Sequence, residues 1–122
     1  MSTHAARLAL ARSRRLVIKI GSKSLSGDAW ERVAAEVAEL RRAGREVIVV
    51  SSGAIALGFV RLGMKTRPKD MSRLQAAAAV GQSSLMQRWE SALLAHGLVA
   101  AQVLLTHADL ADRARTNNAR AA

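Results

Sequence analysis

Two short runs of aliphatic and β-branched residues interrupt an otherwise helix-periodic chain. They are Arg15 to Ile20 (R-L-V-I-K-I) and Glu46 to Ser51 (E-V-I-V-V-S). Each stops at small residues, Gly21-Ser22 after the first and Ser52-Gly53 after the second. Continuous apolar runs of this length predict strands of a parallel sheet, buried on both faces. Leu98 to Thr106 (L-V-A-A-Q-V-L-L-T) has the same character and predicts a third strand.

Between the runs the apolar spacing lengthens to the helical period. From Asp28 onward, Trp30, Val33, Ala34, Val37 and Leu40 fall on one face, with Glu31 completing a capping-box pattern and Gly44 placed to end the helix. A short helix is expected over Gly53 to Leu62, followed by a basic loop from Gly63 to Pro68. A long Ala-rich helix should run from about Met71 to His96, turning Leu74, Ala77, Ala78, Gly81, Leu85, Trp89 and Leu93 toward the sheet. Gly97 ends it, and Thr106 with Asp109 can cap one more short helix.

The order β-α-β-α-α-β implies right-handed crossovers and an α/β fold: a parallel, doubly wound sheet with helices on both faces. Three parallel strands are few for such a sheet, so the fold is expected to be incomplete in this chain. Residues 1–14 read as a ragged basic arm, and residues 15–122 as the amino-terminal part of a single domain.

Composition narrows the function classes. Half of the 122 residues are hydrophobic and 23% are charged, a globular balance. Cysteine is absent, which removes disulfides, thiolate nucleophiles and sulfur-ligated metals. No apolar run approaches the ~18 residues of a membrane span. The net charge of +10 raises nucleic acid as a partner, but aromatics are only 2% of the chain and offer no platform for stacking bases. A solvated basic surface that attracts phosphorylated metabolites is the preferred reading.

In parallel sheets ligands sit beyond the carboxyl ends of the strands. Two such ends, Lys19-Ile20-Gly21-Ser22 and Ser51-Ser52-Gly53-Ala54, set Gly beside Ser, so that an anion can meet bare N–H groups and a hydroxyl. Lys19 can bring an ammonium to the same place. Ordinary strand-to-helix turns with a surface lysine would show the same residues. Gly58 to Thr66 misses the phosphate-loop spacing by one residue, Met64, and it ends a helix instead of opening one. His4, His96 and His107 lie far apart without a partner pattern, and no acidic residue stands clearly at a strand end. Asp109 is the nearest candidate for a metal carboxylate, although a capping role suits it better.

Taken together, V-I-K-I-G-S (Val17 to Ser22), V-V-S-S-G-A-I-A-L-G (Val49 to Gly58), A-A-A-V-G-Q (Ala77 to Gln82), Q-V-L-L-T (Gln102 to Thr106) and N-A-R (Asn118 to Arg120) resemble the glutamate 5-kinases of the amino-acid kinase family. Lys23 and Thr116-Asn117 depart from that family's usual pattern. The resemblance implies phosphoryl transfer from ATP, with Mg2+, to the side-chain carboxylate of L-glutamate, the first step of proline biosynthesis. It implies that Lys19 is catalytic and binds ATP, that Gly21, Ser22, Gly53 and Ala54 line the phosphate path, and that Ser52 contacts glutamate. No metal ligand is assigned within the chain. A cytoplasmic homo-oligomer is expected of the full-length parent, and little activity of this stretch alone. Another amino-acid kinase with a different acceptor, or a basic nucleic-acid-binding module, are the alternatives.

Overall fold

A computed structural model describes residues 2–122. The element order is α1 (Thr3–Arg12), β1 (Arg15–Ile20), a 3-10 turn (Ser22–Ser24), α2 (Ala29–Arg42), β2 (Glu46–Ser51), α3 (Ala54–Arg61), α4 (Met71–Leu94), α5 (His107–Ala111) and α6 (Arg113–Ala121). β1 and β2 pair in parallel, in a register that sets Arg15 against Glu46 and Ile20 against Ser51. Both strands coincide with the runs read from the sequence, because β-branched side chains fit a pleated surface and the glycines beyond cannot extend it.

The sheet alternates. Leu16, Ile18 and Ile20 share a half-buried face with Val47, Val49 and Ser51, whereas Val17, Ile48 and Val50 are exposed on the other. The expectation of burial on both faces therefore fails for the described residues, whose helices cover one side. The third strand also fails. Residues 98–106 form no hydrogen-bonded ladder, and Val99 (95% exposed) and Leu104 (68%) stand in solvent. A strand needs a partner as well as propensity, and here β1 and β2 are the only paired strands among the described residues.

Further corrections concern the ends. The supposed ragged arm contains α1, capped by Ser2, whose hydroxyl accepts from the Ala5 N–H, and the Arg45 guanidinium donates to the carbonyls of Leu10 and Ser13. Asp28 makes no capping hydrogen bond; its carboxylate pairs with Arg32 one turn along at 3.2 Å. α6 was not foreseen, although Asp112 marks its start by accepting from the Arg115 N–H. Asp109 completes a capping box with Thr106, and the Thr106 hydroxyl and N–H, with Arg115 beside them, hold its carboxyl below the ordinary aspartate value. Glu46 is likewise lowered by its hydrogen bond from Arg15 and the charge behind it.

The core lies between α2, α4 and the covered sheet face. Trp30, Ala34, Leu85, Trp89 and Ala92 are buried together, with Ile20, Val49, Ala54 and Leu57 packed against them. The helix faces foreseen from periodicity are the buried ones, but α4 lies chiefly on α3 and α2 and reaches the sheet with its carboxyl-terminal half. Two glycines set the α3–α4 approach. A Cβ on Gly58 would fall 1.7 Å from the Ala77 carbonyl oxygen, and one on Gly81 would fall 1.5 Å from that of Ala54. The helices touch backbone to backbone.

Candidate active site

The carboxyl ends of β1 and β2 lie side by side because their parallel register brings Ile20 level with Ser51. The ladder runs one residue further, where Ser52 N–H donates to the Ile20 carbonyl at 3.2 Å. Beyond it the chains turn sharply, one into the 3-10 turn and the other into α3. Ser22 N–H donates to the Ser52 hydroxyl at 3.0 Å. One hydrogen bond thus joins the two turns that the sequence offered together as one phosphate path.

Gly53 makes the second turn possible. Its φ of +114° lies where side-chain-bearing residues are strained, and a Cβ there would sit 3.2 Å from the Ser22 Cβ. Gly53→Ala is expected to lower stability by about 1–3 kcal/mol, read as a lower urea midpoint at unchanged slope. An unchanged midpoint would contradict the closeness of the two turns.

The structure places all six sequence candidates at this junction. Lys19, Gly21, Ser22 and Ser52 are exposed, and Gly53 and Ala54 are half-buried. Among the described residues, the N–H groups of Gly21, Gly53, Ala54 and Ile55 donate to no backbone or side-chain acceptor. Gly53 caps α3 without a side chain of its own, so the positive end of the helix dipole is bare. Donors aimed outward beside an ammonium-bearing strand suit an anion with several oxygens.

Lys19 pairs in register with Val50 and shares its exposed face, the uncovered side of the sheet. None of the described ion pairs involves it.

Metal ligation is not supplied. No group of three or more His or acidic side chains capable of holding a cation occurs among the described residues. Asp109 is engaged with Thr106 and Arg115. Sequence reading missed the contribution of the neighbouring helix. Trp89 Nε1–H donates to the Ser51 hydroxyl at 3.1 Å, and Gly81 backs onto the Ala54 carbonyl. The periodicity that turns Gly81 and Trp89 toward the sheet was its linear trace, but it names no partner at the strand ends.

Known proteins resemble this chain along most of its length. The model of the amino acid kinase family matches residues 14–122. Glutamate 5-kinases of Burkholderia mallei (strain SAVP1) and Burkholderia pseudomallei (strain K96243) are each 55% identical over 118 residues, covering 91% of this chain and 32% of the relative. The glutamate 5-kinase of Cupriavidus taiwanensis shows the same identity and coverage. The chain spans about a third, 32%, of the length of the curated relatives it matches.

Proposed function

Because this chain belongs to the amino acid kinase family, we propose that it carries the phosphate-handling part of an enzyme that transfers the γ-phosphoryl group of ATP to the side-chain carboxylate of L-glutamate. The products would be L-glutamyl 5-phosphate and ADP, at the entry to proline biosynthesis. The observation that carries this reading is the pair of strand-end turns joined through Ser22 and Ser52, with undirected N–H donors beside Lys19. The relatives named glutamate 5-kinase select the acceptor.

In the proposed reaction a glutamate side-chain oxygen attacks the γ-phosphorus while the bond to the departing ADP oxygen breaks. The attacking carboxylate has a reference pKa near ~4.3 and is ionised at neutral pH, so no general base is required. The task left to the protein is to hold two anions together and to stabilise charge at the transferring group. Lys19 supplies the cation. The N–H groups of Gly21, Ser22, Gly53 and Ala54 line the phosphate path, and Ser52 orients glutamate. Ser22 would exchange its bond to Ser52 for a phosphate oxygen, or keep it and position the hydroxyl.

Magnesium, which ATP ordinarily carries, would be held mainly by the nucleotide's own phosphates, since no group of three or more His or acidic side chains occurs among the described residues. We place the enzyme in the cytoplasm as a homo-oligomer, with residues 1–14 as an arm outside the domain of residues 15–122. No described helix is long and apolar enough to cross a membrane.

The test is an acyl-phosphate assay on the complete protein as encoded, with hydroxylamine trapping the product as a hydroxamate. Hydroxamate dependent on both ATP and L-glutamate is expected. Formation with a different carboxylate or carbamate acceptor, and none with glutamate, would move the protein to another branch of the family.

A further inference from the structure

We propose that Trp89 is a positioning residue for this site, setting the direction of the Gly53 N–H through the hydroxyl of Ser51; the inference rests on the function proposed above. Trp89 lies in α4, outside both turns, and is 6% exposed. Its ring meets that of Trp30 edge to face, at 4.9 Å between centroids and 61° between planes. Its indole nitrogen is therefore presented from a fixed ring. It meets the Ser51 hydroxyl at 3.1 Å.

An indole N–H can only donate, so Ser51 Oγ must accept. The proton of Ser51 is then left to point elsewhere, and the Ser52 carbonyl lies within reach at 3.4 Å. That bond is long, but it acts on the peptide between Ser52 and Gly53. The peptide is trans, so its N–H points opposite to its carbonyl. Holding the Ser52 carbonyl toward Ser51 directs the Gly53 N–H the opposite way, where no acceptor among the described residues meets it. The same Ser52 receives Ser22 N–H, so both turns are referenced to one buried ring.

Trp30 offers the contrast. It is 2% exposed and its Nε1 is buried without a partner among the described residues, with the Arg88 guanidinium 5.5 Å from its ring. Trp30 supplies packing, and Trp89 supplies packing and a directed hydrogen bond.

The experiment compares Trp89→Phe, Ser51→Ala and the double variant in the complete protein as encoded, with Trp30→Phe as the packing control. Well below each melting temperature, Trp89→Phe and Ser51→Ala should each lower kcat/KM about five- to tenfold, the size of one lost hydrogen bond. The double variant should lose no more than either single change, and Ser51→Thr, which keeps the hydroxyl, should recover most of the rate. Trp30→Phe, which keeps an aromatic edge against Trp89, should lower melting temperature and leave kcat/KM within about twofold. A second readout does not need activity. The indole N–H resonance that Trp89→Phe removes should shift when inorganic phosphate is titrated in, and Ser51→Ala should abolish the shift.

Additive losses, or a Trp89→Phe variant changed only in melting temperature, would overturn the proposal. An unsubstituted protein without glutamate kinase activity would overturn the function reading instead. The indole resonance would then decide the positioning role alone: a phosphate-dependent shift sustains it, and a silent resonance ends it.

Discussion

Gly81→Ala is expected to be the most destabilising single-methyl change in the chain, costing about 3 kcal/mol or more. Helix propensity alone argues the reverse, since alanine in a helix interior is favoured over glycine by about 1 kcal/mol. The geometry decides between them. The added Cβ would lie 1.5 Å from the Ala54 carbonyl oxygen and 2.7 Å from the Gly58 nitrogen, both rigid backbone atoms. No rotamer change relieves that overlap, so α3 and α4 must separate, and interiors at native density resist such movement. Thermal or urea unfolding gives the answer by its sign. A raised melting temperature would show that propensity governs and that the helices are not in backbone contact. Because Ala54 belongs to the candidate site, the same change should also displace the bare end of α3 from the Ser22 turn.

Lys19→Ala should abolish most activity while leaving the fold intact, lowering kcat/KM by about 10²–10³ in the complete protein. Lys19 is exposed and takes part in none of the described ion pairs, so truncation removes charge without opening a cavity. Its stability effect should stay within about 0.5 kcal/mol. The loss is large because two anions must meet in the proposed transition state, and Lys19 stands one residue before the end of β1, next to the junction. Lys19→Arg keeps the charge but spreads it over a planar fork, so only partial recovery is expected. Glutamate-dependent ADP formation with unchanged kcat/KM in Lys19→Ala would remove the lysine from the mechanism.

Legibility in the sequence followed the range of the forces involved. β1 and β2 were readable to the residue because their apolar runs are bounded by glycine and serine, and both signals are local. α3 and α4 were readable because periodicity is local too; their caps, Gly53 and Asp70, came from the structure. The capping box at Asp28 misled, since the pattern requires a backbone geometry that the residue does not adopt. Its φ of −86° and ψ of 10° point its carboxylate toward Arg32, outside the helix start. Residues 98–106 misled for a different reason. Their β-branched and aliphatic content is real, but a strand is made by its ladder, and residues 98–106 pair with neither β1 nor β2.

By itself the sequence determined the parallel α/β order, the buried helix faces and the six residues at the strand ends. Those depend on composition, spacing and chirality, which act within a few residues of each position. Only the tertiary structure decided how the two turns meet. The Ser22–Ser52 hydrogen bond spans 30 positions and that between Trp89 and Ser51 spans 38. The meeting of Gly81 with Ala54 is equally invisible along the chain, because a glycine tolerates many surroundings and its pattern does not say which backbone it approaches. Contacts between distant residues arise when elements pack, and packing depends on the shapes of all of them at once.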